Sequence, residues 1–180
     1  IESIEGIDLN RLSVLAIAML LCSSGSSVFN HFYDRDIDRL MERTKIRPLA
    51  SGDIKNPYYA LFMGIILLLA GLSISLLMLN YMVALYLFLG SFTYMVVYTI
   101  WLKRRHWINI VIGGAAGSFP VLAGAAASES GVIILPILMS IILFLWTPSH
   151  FWALALILKD DYAKAGIPML PVLVGNRKCA

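Results

Sequence analysis

The sequence predicts an all-α bundle of five membrane-crossing helices, and three observations predict it. Apolar residues make up 59% of the chain and the mean hydropathy is +0.81, values foreign to water-soluble domains. Charged residues are only 14% and gather in a few clusters instead of spreading over a surface. Between the clusters run five apolar stretches, each near the roughly 20 residues a helix needs to cross a bilayer. The length of 180 residues suits one domain. The net charge of +3 comes from basic residues flanking the apolar stretches, so it reports topology and makes no case for nucleic-acid binding.

Taken in order, residues 1–11 read as a short acidic loop. It opens Ile-Glu-Ser-Ile-Glu-Gly without a basic region, so no cleavable signal peptide is expected. The first residue is not Met and the last four are Arg-Lys-Cys-Ala, which reads as part of a longer protein: one membrane domain over 1–180, incomplete at both ends. Residues 12–33 form the first span, with Ser23, Ser24, Gly25, Ser26 and Ser27 as small residues for close helix packing. A polar loop over 34–56 ends at the turn signal Asn56-Pro57. Residues 58–79 form the second span, Asn80-Tyr81 a tight turn, and 82–102 the third span. The cluster Lys103-Arg104-Arg105-His106 interrupts, leaving a loop over 103–107. The fourth span, 108–127, is rich in Gly and Ala. Its Gly113-Gly114-x-x-Gly117 lacks the preceding strand of a nucleotide-binding turn and reads as helix packing. Ser128-Glu129-Ser130-Gly131 turns the chain into the fifth span, 132–158, where Pro136 and Pro148 predict kinks. Residues 159–180 are polar again. Cys22 and Cys179 have neither metal-site spacing nor support for a disulfide.

Positive charge sets the orientation. The loops after spans one, three and five hold six, three and four Lys/Arg, and the turns after spans two and four hold none. This alternation puts loops 34–56, 103–107 and 159–180 on the cytoplasmic side of a multi-pass protein. Three clusters distant in sequence can therefore meet in one site.

The first cluster is the most informative. Asn30, Asp34 and Asp38 recur every fourth residue and share one helix face, while Asp36 points largely away. Like charges one turn apart repel, and the end of a helix disfavours anions. A divalent cation would reverse both penalties, and carboxylate plus amide oxygens suit Mg2+ shared with substrate phosphates. The competing reading is a solvated helix end, since Asp-Arg-Asp-Ile-Asp-Arg nearly balances its own charge. Arg43 and Arg47, with Thr44 and Lys45 beside them, can fork onto phosphate oxygens or simply hold topology. Lys103 and Arg104 offer the same two readings, and Trp101 and Trp107 suit the interfacial aromatic belt. The third cluster, Asp160, Asp161 and Tyr162 between Lys159 and Lys164, could hold a second metal or be an ordinary loop. His150 and Trp152 lie inside the fifth span, where an ionisable residue is a functional candidate.

Four motifs in this order resemble the intramembrane prenyltransferases, which attach isoprenoid chains to quinone precursors, chlorophyllide and haem. They are Asn30-x-x-x-Asp34-x-x-x-Asp38 leading to Arg43-Thr44-x-x-Arg47-Pro48-Leu49, then Tyr98-Thr99-x-x-Leu102-Lys103-Arg104-Arg105, then Trp146-Thr147-Pro148-Ser149-His150-Phe151-Trp152, then Asp161-Tyr162-x-x-Ala165-Gly166-Ile167-Pro168. Their detail is most similar to the haem-farnesylating branch. The resemblance implies a nine-helix bundle around a central cavity, of which this chain carries helices two to six. It implies farnesyl diphosphate as donor, protohaem IX as acceptor and haem O as product. It also implies a multi-pass protein of the bacterial inner membrane, or the mitochondrial inner membrane in a eukaryote, with haem A synthase or oxidase assembly factors as partners. On this reading Asn30, Asp34 and Asp38 hold Mg2+ and are catalytic. Arg43, Arg47, Lys103 and Arg104 contact diphosphate, Asp160 and Asp161 hold a second Mg2+, and His150 and Trp152 line a haem pocket. The second motif departs from that of relatives acting on aromatic rings: registered on Ala165-Gly166, Leu158 and Tyr162 stand where those carry aspartate. His31 carries no assigned role.

Two other readings stay open. A quinone-type prenyltransferase would differ only in its acceptor. A transporter or haem carrier would also use acidic and basic clusters, but transport sites favour the bilayer midplane, and here the charges collect at helix ends.

Overall fold

The computed structural model describes residues 9–128 and 134–175. The acidic start, the Glu129-Ser130-Gly131 turn, Arg177, Lys178 and Cys179 lie outside the described residues. Among the described residues every regular element is a helix, and five helical stretches are long and apolar enough to cross a membrane.

The first is α1, Leu9–Tyr33; the chain then makes a short helix α2, Arg35–Asp38, and another, α3, Pro48–Ser51. The second span is α4, Pro57–Met78. Its start follows from two adjacent residues: Asn56 accepts a hydrogen bond from Tyr58 N at 3.1 Å, and Pro57 occupies the first turn, where a missing N–H costs nothing. The third span begins as α5, Tyr81–Phe92, and continues as a π-helical segment over Thr93–Leu102. Asn80 caps α5 by accepting from Val83 N at 2.9 Å, and its amide donates to Ala126 O at 2.8 Å, tying this turn to the fourth span. That span is split into α6, Asn109–Gly113, and α7, Ala115–Ser128. The fifth is α8, Ile134–Ile157, which runs as one helix through Pro136 and Pro148. Two short helices follow, α9 over Lys159–Lys164 and α10 over Leu170–Val174.

Glycine brings α1 and α4 together. A Cβ on Gly25 would fall 2.6 Å from Gly64 O, and one on Gly71 would fall 2.7 Å from Cys22 Sγ and 2.8 Å from Ala18 O. Only side chains of one hydrogen allow that approach. It suits a membrane interior, where helices gain by close packing because no hydrophobic effect drives them together. Leu15, Ala18, Cys22, Val83, Leu87, Ala123 and Ala127 form one core toward the end away from the polar loops, and a second core at the polar end gathers Ile37, Met41, Ile110, Tyr162, Ile167 and Met169. Gly113 and Gly114 pack as the sequence suggests, against the Tyr98 ring and Thr147. Gly117 does not: a Cβ there meets nothing within 4 Å, because it faces a cavity.

Candidate active site

The helix face of Asn30, Asp34 and Asp38 survives the break between α1 and α2. Asp34 N bonds Asn30 O and Asp38 N bonds Asp34 O, both at 2.8 Å, so the i to i−4 ladder passes through the junction. All three side chains are buried, with Asp34 wholly so. Asp36, one step round the helix, is 62% exposed.

No ligand is needed to offset the repulsion along this face; basic residues do so. Lys103 pairs with Asp34 Oδ2, Arg104 Nη2 lies 3.2 Å from Asp34 Oδ1, and Arg47 Nη1 lies 2.8 Å from Asp38 Oδ2. Thr44, fully buried, donates to Asp38 O at 3.1 Å and fixes the loop that carries Arg47. Asn30 Nδ2 donates to Asp34 Oδ2 at 2.8 Å and to Thr99 Oγ1 at 3.1 Å. The ends of spans one and three are thus laced together.

Arg104 has a different place from the one expected of it. It forks onto Asp36 with two bonds of 2.7 Å, donates to Tyr33 O at 2.8 Å and lies over the Tyr33 ring. This bidentate contact holds the Asp36 carboxyl below its usual range and raises the guanidinium further. Arg104 does not line the cavity described next; it clamps the acidic segment from outside.

Beneath this network lies a cavity of about 400 Å³. Asn30, Asp38, Arg43, Arg47 and Lys103 stand at its polar wall; Tyr94, Tyr98, Gly117, Thr147, Phe151, Tyr162 and Ile167 complete it. A second cavity of about 520 Å³, almost entirely apolar, shares Tyr94 and Ala116 with the first and runs on between α1, α5 and α7 past Cys22, Ser26, Leu87 and Pro120.

The third cluster is placed otherwise than expected. Tyr162 is buried and lines the cavity, whereas Asp160 is exposed, Asp161 is half-buried, and neither lines it. On one helix the aspartates sit roughly 100° and 200° round from Tyr162, so burying the phenol turns them away. The Ala165-Gly166-Ile167 stretch has a local cause. Gly166 takes φ +66°, and Ile167 N bonds back to Tyr162 O at 3.0 Å, a helix-ending turn that returns Ile167 to the cavity wall. The haem-pocket pair is also displaced. His150 is exposed and stacks on Trp146 at 4.4 Å, while Trp152 packs near Trp107 at 6.3 Å. Neither lines the two cavities described here; Thr147 and Phe151, four apart on α8, line the polar one. The sequence shows Thr99 within a motif but gives it no role, although it lies four residues before Lys103 and so faces the same way.

The donor set fits a hard divalent cation: two carboxylates and an amide oxygen on one face, with Asn30 and Asp38 reaching the cavity beside three basic groups. A helical membrane bundle with such an acidic and basic site at one end of an interior cavity is the class that fold and site define. More particularly, the chain belongs to the UbiA prenyltransferase family, whose model it matches over residues 2–180.

Among its relatives, it is 54% identical over 174 residues to protoheme IX farnesyltransferase 1 of Paramagnetospirillum magneticum, covering 97% of this chain and 61% of that protein. It is 42% identical over 178 residues to the protoheme IX farnesyltransferase of Pyrobaculum islandicum, covering 99% of this chain and 64% of that one. The chain thus spans about three-fifths of the length of these relatives. The fold is that of a UbiA homolog from Archaeoglobus fulgidus bound to DMAPP and Mg2+, at a TM-score of 0.81 and 22% identity over 96% of this chain and 60% of the other.

Proposed function

We propose that the protein transfers the farnesyl group of farnesyl diphosphate to a vinyl group of protohaem IX, making haem O. One observation carries the reading: a cavity of about 400 Å³ has a carboxylate–amide face and a basic wall, and an almost entirely apolar cavity of about 520 Å³ adjoins it at Tyr94 and Ala116. That polarity matches a diphosphate joined to an isoprenoid. The named relatives, both protoheme IX farnesyltransferases, support the acceptor.

Asn30, Asp34 and Asp38 would hold Mg2+, which supplies positive charge to a departing diphosphate. Arg43 and Arg47 would take its oxygens directly, and Lys103 would be shared between Asp34 and the phosphates. Breaking the allylic C–O bond leaves negative charge on the diphosphate, and fixed cations aimed at that charge lower the barrier. Tyr94, Tyr98 and Phe151 would shield the allylic cation from water until the terminal vinyl carbon attacks it. The cation that this leaves on the inner vinyl carbon would then be closed by a water oxygen with loss of a proton, giving the hydroxyethylfarnesyl group of haem O. Asp160, Asp161, His150 and Trp152 are left out, because none lines the cavity. The basic flanks support a site on the cytoplasmic face, which on this reading is that of a bacterial inner membrane or its mitochondrial equivalent.

Membranes containing the protein, given labelled farnesyl diphosphate, Mg2+ and protohaem, should yield a farnesylated haem. Label appearing only on an aromatic quinone precursor would redirect the reading to that acceptor. Uptake without any covalent product would replace it with transport.

A further inference from the structure

We propose that Thr99 is a positioning residue that fixes the orientation of the Asn30 amide, so that its carbonyl oxygen is the atom presented to a cation in the cavity. The proposal rests on the reading of the site given above and adds a residue to it.

The argument is one of donors and acceptors. Thr99 is wholly buried, and its hydroxyl donates to Tyr94 O at 2.8 Å within the π-helical segment. A hydroxyl has one proton, so toward Asn30 it can only accept. Asp34 Oδ2 accepts from Lys103 and Oδ1 accepts from Arg104, so both of its oxygens act as acceptors here. Asn30 therefore faces two acceptors, at 3.1 and 2.8 Å, and only its NH2 has two protons to satisfy them. Turning the amide over would set its oxygen against the Asp34 carboxylate and strand the Thr99 lone pair. Asn30 Oδ1 is left over: among the described residues nothing donates to it, and Asn30 lines the cavity. The Tyr94 carbonyl decides the arrangement because it consumes the threonine proton.

The π-helical segment makes these bonds together. Lys103 N bonds Tyr98 O at 2.8 Å, five residues back, and from that end Lys103 reaches Asp34 while Thr99 reaches Asn30. Segments of this kind are uncommon and recur at functional sites.

The test uses the protein at its full natural length in nanodiscs, with inorganic diphosphate as probe, titrated calorimetrically with and without Mg2+. Thr99→Val keeps the shape and removes the hydroxyl. It should weaken diphosphate binding about tenfold in Mg2+ and leave metal-free binding, which rests on Arg43, Arg47 and Lys103, within about twofold. Thr99→Ser should restore the wild-type value. Thr99→Ala reads the same quantity if the valine variant does not fold. Equal losses with and without Mg2+, or no recovery with serine, would show Thr99 to be packing only and overturn the proposal. Wild-type binding indifferent to Mg2+ would instead overturn the reading of the site itself.

Discussion

Asp34 has no contact with water and is held between an ammonium, a guanidinium and an amide. Taking one partner from a buried pair strands the other charge, at a cost of about 3–5 kcal/mol. Lys103→Met should therefore lower the melting temperature sharply, and a melt within a degree of wild type would show that Arg104 and Asn30 suffice. Asp34→Asn should cut farnesyl transfer by about 100-fold or more, on the scale of removing one fixed charge-stabilising group; turnover near wild type would end its assigned role. Asp36 makes the opposite prediction, because its pair with Arg104 is open to solvent and such pairs contribute at most about 1 kcal/mol. Its carboxyl is lowered in the fold by Arg104, so the contribution is present above the ordinary value near 3.8 and disappears as pH falls through the lowered one. Asp36→Asn should be slightly less stable at pH 7, and the two melting curves should begin to draw together near pH ~4 and meet only below the lowered carboxyl value. The four-residue spacing showed these carboxylates to the sequence reader. It could not show that Arg104 faces Asp36 and not the cavity, since a run of three cations does not say which of them turns outward.

At the scale of elements, the α1–α4 contact is the part most open to a direct trial. Gly25→Ala places a carbon against Gly64 O and Leu68 N, backbone atoms that cannot swing away, so the helices must part. Overpacking of this kind costs about 1–3 kcal/mol. Gly124→Ala is the control, since a Cβ there meets nothing within 4 Å. Thermal unfolding in detergent should separate the two variants; equal melts would mean that α1 and α4 can slide apart freely. The spans themselves were legible, because a run of about 20 apolar residues reports its length directly. The caps at Asn56 and Asn80 were legible as turn residues for the same local reason. The π-helical stretch was not: Thr-Tyr-Met-Val-Val-Tyr-Thr-Ile-Trp-Leu has no feature that an α-helix would refuse. Its hydrogen-bond ladder is set by what it must reach, Asn30 and Asp34, some 70 positions earlier in the chain.

Two neighbouring cavities, one polar-walled and one apolar, occupy the interior and share Tyr94 and Ala116. Gly117 stands at the wall of the polar one, and a Cβ there meets nothing within 4 Å, so Gly117→Leu should project its side chain into that space. The expected result is an unchanged melt with KM for the donor or acceptor raised several-fold; unchanged kinetics would mean the cavity is not used. The sequence indicated which loops share a membrane face, and hence that Lys103 and the Tyr162 segment could approach Asp38. Whether Tyr162 or its neighbouring aspartates turn inward is settled by packing around Met41 and Ile167, which no spacing rule encodes.

The bond from Lys103 to Asp34 joins residues 69 positions apart. A ribosome adding about 5–20 residues per second needs roughly 3–14 s to deliver the lysine after the aspartate has emerged. During that interval α1 and α4 can already zip along their glycines, but Asp34 must wait in the aqueous phase with its charge hydrated. The hairpin is therefore the early product of synthesis, and the acidic face is drawn into the bundle only when its cation arrives.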